Sequence, residues 1–316
     1  MSLKEIKTRI QSVQSTRKIT SAMKMVASAK LHHAQEAISS MLPYQAMLYG
    51  ILSRFLAEGD TVQTEYQTER EVRNVALIVF SSNSSLCGAF NSNMMKRFSE
   101  VAKRYEQTLG REHVTVYPIG RKIADYVKKS GYTPQGDFTQ LADHPDYAQV
   151  QALADKLMEI FRQGKVDKVD LLYNHFKNTA TQIYMYEPLL PLNVEKFLSD
   201  TSQQNTLSAT VNQEETAKHP KDANQSRQEN DIKSNYIVEP SVEELLSSLL
   251  PKVVRLKLFT SLLDSNASEH GARTMAMQIA TDNADDLLNE LSILYNKTRQ
   301  QAITNELLDI VGGSFK

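Results

Sequence analysis

The sequence predicts an α/β protein in which a small central layered domain is carried between two long terminal helices. Three observations carry that prediction. Apolar residues recur near coiled-coil spacing at both ends of the chain. The middle switches to short buried-strand runs alternating with amphipathic helices. Long proline-poor stretches mark the ends, 2–58 with Pro43 alone and 268–309 with none.

The first element, residues 2–58, reads as one helix. Ser2 and Glu5 stand at its start in capping-box spacing. Leu3, Ile6, Ile10 and Val13 follow a heptad, and an apolar stripe resumes in shifted register at Ile19, Met23 and Val26. Lys30 takes the next seam position and the stripe moves to Leu31 and Ala34, which predicts breaks in the heptad.

The central domain is expected over 70–198. Strands are predicted at 74–81, 113–119, 169–173 and 182–186, the last two joined by a polar turn at Asn178. Helices are predicted at 90–109, 121–129 and 146–162. This is a small, Rossmann-like layer domain. Residues 199–235 are rich in Gln, Asn, Ser, Thr and charge and hold no aromatic residue. Such a segment buries too little to offset its ordering entropy, so a disordered polar insertion is expected there.

Helical period returns in the C-terminal segment, 236–316. Pro251 is expected to kink or break it. Ala280, Ala284, Leu287, Leu291 and Leu294 form a stripe that Ile303, Leu307 and Ile310 continue after a small shift. Seven bases and one acid, Glu5, lie within 1–35, whereas seven acids and four bases lie within 268–316. Two helices of opposite charge can pair with each other. Equally, each can be a solvated face in a bundle.

Bulk composition excludes several classes. The chain has 316 residues with 36 bases and 37 acids, net −1, without the basic excess of a nucleic-acid binder. Its longest apolar runs, such as 75–80, fall far short of the roughly 20 residues of a membrane span. The start lacks an apolar signal core and predicts a mature cytoplasmic N-terminus. The single cysteine, Cys87, allows no intrachain disulfide.

No constellation for catalysis emerges. Neither a Walker-type phosphate loop nor a Gly-x-Gly-x-x-Gly run follows the first strand; Gly88 fits a strand-to-helix turn better. Cys87 has no sequence neighbour suited to be its base and reads as a buried thiol. His32 and His33 are adjacent and diverge on a helix, so they do not share a metal. His144, between Asp143 and Asp146, reads as solvated loop. Met23, Met25, Met275 and Met277 read as core, or as an adaptable surface. Residues alone leave open a coiled-coil scaffold and a nucleotide-dependent enzyme.

A resemblance narrows this. The run 15–31, with Thr16-Arg17-Lys18-Ile19-Thr20 and Met23-Lys24-Met25-Val26, resembles the first helix of F-type ATP synthase gamma subunits. Gly271-Ala272-Arg273-Thr274-Met275, Ala280-Thr281-Asp282-Asn283-Ala284 and Leu294-Tyr295-Asn296-Lys297-Thr298-Arg299-Gln300 resemble the family's last helix. Weaker matches are Ser85-Leu86-Cys87-Gly88, Ile119-Gly120-Arg121-Lys122 and Glu187-Pro188-Leu189-Leu190. The likeness covers nearly the whole chain except 199–235. Departures are Ser82-Asn83-Ser84-Ser85 before Leu86, a Gly-Gly-Ser-Phe-Lys ending, and the lack of the cysteine pair behind the thiol switch of chloroplast relatives.

The resemblance implies a long antiparallel coiled coil of the two terminal helices standing inside a ring of three alpha and three beta subunits. It implies an α/β domain meeting the epsilon subunit and the c-subunit ring, through which the chain associates with the cytoplasmic face of the bacterial inner membrane. Ion flow would turn the shaft and drive the catalytic beta sites in turn, while the chain itself uses no catalytic residue, cofactor, metal or nucleic acid. By motif position, Arg299 and Gln300 would hydrogen-bond beta-subunit loops. Arg273, Thr304 and Glu306 would serve coupling, and Met23 would face an acidic beta loop.

Overall fold

The computed structural model describes residues 2–57, 65–192 and 241–313. The insertion expected at 199–235 lies outside the described residues. Elements follow in the order α1 (Leu3–Ala57), β1 (Val75–Phe80), α2 (Phe90–Leu109), β2 (Val114–Ile119), α3 (Arg121–Lys129), α4 (Thr139–Asp143), α5 (Tyr147–Arg162), β3 (Lys168–Phe176), β4 (Gln182–Leu190) and α6 (Val242–Gly313).

The four strands form one sheet in the order β2-β1-β3-β4. β1 runs parallel to β2 and β3, and β4 returns antiparallel beside β3. All six residues of β1 are buried, as expected of a central strand covered on both faces. Alternation assigns its side chains. Val75, Leu77 and Val79 join Met94 and Phe98 of α2 and Ile123 of α3 on one face. Ala76, Ile78 and Phe80 join Leu153 and Leu157 of α5, Leu52 of α1 and Leu258 of α6 on the other. The sheet is thus sandwiched, and both long helices lie in the α5 layer.

β3 and β4 extend past the predicted 169–173 and 182–186 because their hairpin outruns the parallel core. Asn174–Tyr184 and Phe176–Gln182 still pair there. Asn178 closes the turn, its Oδ1 accepting from Ala180 N and Thr181 N. The short α4 carries too few residues for a periodic signal.

α1 starts in a capping box: Ser2 N–H donates to Glu5 Oε2 at 3.0 Å and Glu5 N–H to Ser2 Oγ at 3.3 Å. Pro43 sits inside it on an exposed position. α6 is a single helix of 72 residues, and Pro251 does not interrupt it. The flanking Leu249, Leu250, Val253 and Val254 are buried. Their packing offsets the roughly 3 kcal/mol that a proline costs a helix interior.

The heptad of α1 does not break. Its less exposed positions run 6, 10, 13, then 20, 24, 27, 31, 34, 38, 41, 45, 48 and 52, alternating steps of three and four with only Arg17 exposed between. The apparent shift arises because the seam fills with Arg17, Thr20, Lys24 and Ala27, while Ile19 and Val26 turn out to solvent. α6 does likewise. Its seam runs through Met277, Thr281, Ala284, Leu288, Leu291, Tyr295, Thr298 and Ala302, and Leu294, Ile303, Leu307 and Ile310 are exposed.

Candidate functional site: the two-helix shaft and its collar

α1 and α6 run antiparallel against each other. Across the seam, Thr20 Oγ1 lies 2.8 Å from Thr281 Oγ1, and Arg17 Nε donates to Asp285 Oδ1 at 2.7 Å. This ion pair joins the basic first helix to the acidic last one. From these pairs, one residue of α1 per residue of α6 brings Leu3 level with about residue 299. The last 14 or so residues of α6, up to Gly313, therefore continue alone for roughly 21 Å. Exposed Ile303, Leu307, Leu308, Ile310 and Val311 lie on that tip.

The upper shaft turns apolar side chains outward. Met25 is 73% exposed and Ile293 70%, and Ile19, Val26 and Ile279 are about half exposed. Met23 is half-buried beside the Ile19–Val26 stripe, whereas Met277 is buried in the seam. Arg299, Gln300, Thr304 and Glu306 are all exposed near the start of the free tip. Thr304 Oγ1 donates back to Gln300 O at 2.9 Å, so these two share one helix face.

Arg273 belongs to a different place. It is 9% exposed, in a collar where the shaft meets the α/β domain. Its Nη1 donates to Ser85 O at 2.5 Å, and its Nη2 to Ser84 Oγ at 2.9 Å and Glu269 Oε1 at 2.7 Å. The structure thus brings five of the six candidate residues onto the exposed shaft and one into its root. Burial pushes the Glu269 carboxyl above the usual range, with Arg273 opposing. Burial also pushes the His270 imidazole down to about 4, helped by Lys30 and Arg273. Glu269 and His270 were missed in the sequence. The signal was available, since an acidic residue four before Arg273 has the spacing of an ion pair within one helix.

The loop gripped by Arg273 follows β1. Asn91 knots it, accepting from Ser82 N at 3.1 Å and donating to Ser82 Oγ at 2.7 Å and to the buried Cys87 Sγ at 3.1 Å. Gly88 turns the chain into α2 at φ 58°, and Leu86 adopts φ 70° with its side chain exposed. In an open α/β sheet, ligands enter at the carboxyl ends of the parallel strands. Here that crevice is walled by Phe80, Ser81 and Ile119 on the sheet side and by Leu262, Asn266 and Glu269 of α6 on the other. Asn266 Nδ2 is anchored there on Ala142 O at 2.7 Å.

His32 and His33 are exposed, each against Glu36, and His144 is exposed. Among the described residues no group of three His, Cys, Asp or Glu side chains is gathered for a metal. Nor, among them, is any helix long and apolar enough to cross a membrane.

Comparison with known proteins agrees with this geometry. A family model described as ATP synthase matches residues 2–315. The chain is 52% identical over 313 residues to an ATP synthase gamma chain of Phocaeicola vulgatus, covering 99% of each. It is 49% identical over 315 residues to one of Bacteroides thetaiotaomicron, covering 100% of this chain and 99% of the other. Among solved structures, a chain of the Euglena gracilis mitochondrial ATP synthase (OSCP/F1/c-ring, rotational state 3) superposes with TM-score 0.58 at 18% identity, covering 99% of this chain and 93% of that one. A chain of the Tetrahymena thermophila central stalk/c-ring superposes with TM-score 0.54 at 20% identity, covering 83% and 99%. These two likenesses concern the fold.

Proposed function

The chain belongs to the ATP synthase gamma-chain family, and from that premise we propose that it is the central rotor shaft of a bacterial F-type ATP synthase. As a gamma subunit it leaves catalysis to the beta subunits. In this reading the chain comprises a shaft helix at 1–58, an α/β foot at 70–198, a polar insertion at 199–235 and a second shaft helix at 236–316. The shaft stands within three alpha and three beta subunits. The foot meets the epsilon subunit and the c ring at the cytoplasmic face of the inner membrane. Ion-driven rotation of the ring turns the shaft, and the shaft imposes different nucleotide affinities on the beta sites in turn. That is a population shift driven by contacts that differ with angle.

The observation that carries the reading is the inversion of the upper seam. A helix pair that stood in water would bury Ile19, Val26, Ile279 and Ile293 and expose Thr20 and Thr281; this one does the reverse. Such a surface fits a surrounding sleeve of protein. Arg299, Gln300, Thr304 and Glu306 are then donors and acceptors for the sleeve, and Met23 lies on its wall. Arg273 acts from the collar, holding the loop after β1 against the turning helix.

The test is assembly. Expressed with alpha and beta subunits of a gamma-deficient ATPase, the chain is expected to yield a complex that hydrolyses ATP and, in vesicles with the membrane sector, pumps ions. Met23→Lys is expected to depress pumping more than hydrolysis, because the new cation pairs with a sleeve acid at one angle. Failure of the chain to copurify with alpha and beta subunits would end the proposal.

A further inference from the structure

One face of α6 carries polar residues where a helix crossing a sheet normally carries only apolar ones. They are Lys257, Ser261, Asp264 and Ser268, spaced by four, three and four, with Gly271 completing the row. Their neighbours Leu256, Leu258, Leu262, Leu263 and Ala267 are buried in the ordinary way. The row therefore keeps a 3.5-residue period and stays on one edge of the helix for about 20 Å.

Each member meets the β3–β4 hairpin. Lys257 Nζ forms an ion pair with Glu187 of β4, both side chains largely buried. Ser261 is buried beside Tyr173 with its Oγ unpartnered, while the Tyr173 hydroxyl of β3 donates to Glu187 at 3.3 Å. Asp264 takes two bonds, from Phe176 N at 2.7 Å through Oδ1 and from His175 Nδ1 at 2.6 Å through Oδ2. Ser268 Oγ donates to Asn174 O at 2.9 Å. At Gly271 a Cβ would come within 2.7 Å of the Phe176 ring, so the glycine admits that ring onto the helix.

Apolar packing is non-directional and scales with area, so it resists a small slide or twist weakly. Hydrogen bonds fall off steeply with misalignment, and a buried pair that loses one partner is strongly penalised. Four register-bound contacts in one row, at Lys257, Asp264, Ser268 and Gly271, act as a key in a slot. Resting on the rotor reading above, we propose that the row from Lys257 to Gly271 is the torque key, the part that fixes the angle of the shaft against the α/β foot. Its members are positioning residues. They touch no nucleotide, and they ensure that a turn of the foot becomes an equal turn of the shaft.

The experiment uses the assembled complex in vesicles and reads ATP-driven pumping and ATP hydrolysis on the same sample. The Lys257→Met/Asp264→Asn double variant removes both charges, and Asn keeps an acceptor for Phe176 N. Hydrolysis without an opposing gradient is expected within about twofold of wild type, while the pumping-to-hydrolysis ratio falls about tenfold, the scale of losing charged hydrogen bonds. Lys257→Glu alone should lower the ratio, and Lys257→Glu/Glu187→Lys should restore much of it. A merely structural role would lower both activities together. Should the double variant fail to assemble, Asp264→Asn alone is read in the same way. A wild-type ratio in these variants overturns the key. A wild-type complex that hydrolyses without pumping, or that never forms, overturns the rotor reading instead.

Discussion

Where the shaft crosses the sheet, between Leu31 and Leu52 of α1 and between Leu246 and Ala272 of α6, large apolar residues point inward and Lys257, Asp264 and Ser268 are matched to β3 and β4. Above the collar, Thr20, Ala27, Thr281 and Ala284 fill the seam and Ile19, Val26 and Ile293 face out. The two halves share one unbroken heptad on α1, so the difference is one of filling and not of geometry. The lower half supplies its own stability. The upper half leaves its apolar surface available to something else, and mutations should separate the two accordingly.

The largest effect is expected at the collar, where the halves join. Arg273→Met leaves the Glu269 carboxylate buried without its partner and frees Ser84 and Ser85. Breaking a buried pair in this way costs about 3–5 kcal/mol. Denaturant unfolding of the isolated chain measures it. A loss below about 1 kcal/mol would mean that the collar is not a junction at all.

Next comes the lower half. Leu258 is fully buried in the core that α6 shares with the sheet, α1 and α5. Leu258→Ala is expected to cost about 2–5 kcal/mol through lost transfer energy and a cavity. Ile19→Ala and Val26→Ala, on the upper half, should leave the isolated chain within about 0.5 kcal/mol of wild type. Their cost should appear only in the assembled complex, as weaker retention of alpha and beta subunits. Equal losses in the isolated chain would erase the contrast.

How much of this was legible follows the same division. The capping box at Ser2 and Glu5, the strands and the amphipathic α2 and α5 all announce themselves, because burial there obeys a local period. The upper seam does so only in part, because Ile19, Val26 and Ile293 sit outside it while Thr20, Lys24 and Thr281 sit within it. Reading Ile19, Met23 and Val26 as seam positions produced a heptad break that the chain lacks. Pro251 was likewise unreadable locally, since tertiary packing overrides propensity. Arg273 was found by motif, but only the fold shows that Ser84 and Ser85, nearly two hundred residues away, are its partners.

A smaller, pH-dependent effect belongs to the collar. Folding holds the His270 imidazole neutral, with its pKa pushed from the ordinary 6.5 down to about 4. Above pH 6.5 neither state binds the proton and the residue is neutral to stability. As pH falls from 6.5 towards 4, only the unfolded chain takes the proton. Stability should then drop by up to about 1.4 kcal/mol per pH unit from this group. The raised Glu269 acts in the opposite sense at the acid end of that range, so the informative quantity is a difference. Subtracting the His270→Gln stability profile from that of wild type should leave this slope. A flat difference would mean that His270 is charged, or open to water, in the folded state.

The smallest effects are expected in the upper seam, and they test whether its polar pairs serve stability or register. Arg17 and Asp285 are both half-exposed, so Arg17→Met should cost only about 0.2–1 kcal/mol and less in high salt. Thr20 and Thr281 differ, being less exposed, with their hydroxyls 2.8 Å apart and each within reach of a carbonyl of its own helix, so that two protons serve three contacts. Removing one hydroxyl leaves the other bonded only to its own helix at a cost of about 0.5–1.5 kcal/mol, whereas removing both is close to neutral. Thr20→Val/Thr281→Val should therefore unfold much like wild type, while each single variant is weaker. If the pair sets register, the double variant should also lose the alignment of Arg17 with Asp285. That loss would appear as altered yields of an engineered cysteine cross-link between the helices, made in a Cys87→Ser background. Unchanged cross-linking would assign the register to the lower half alone, with the upper half following it passively.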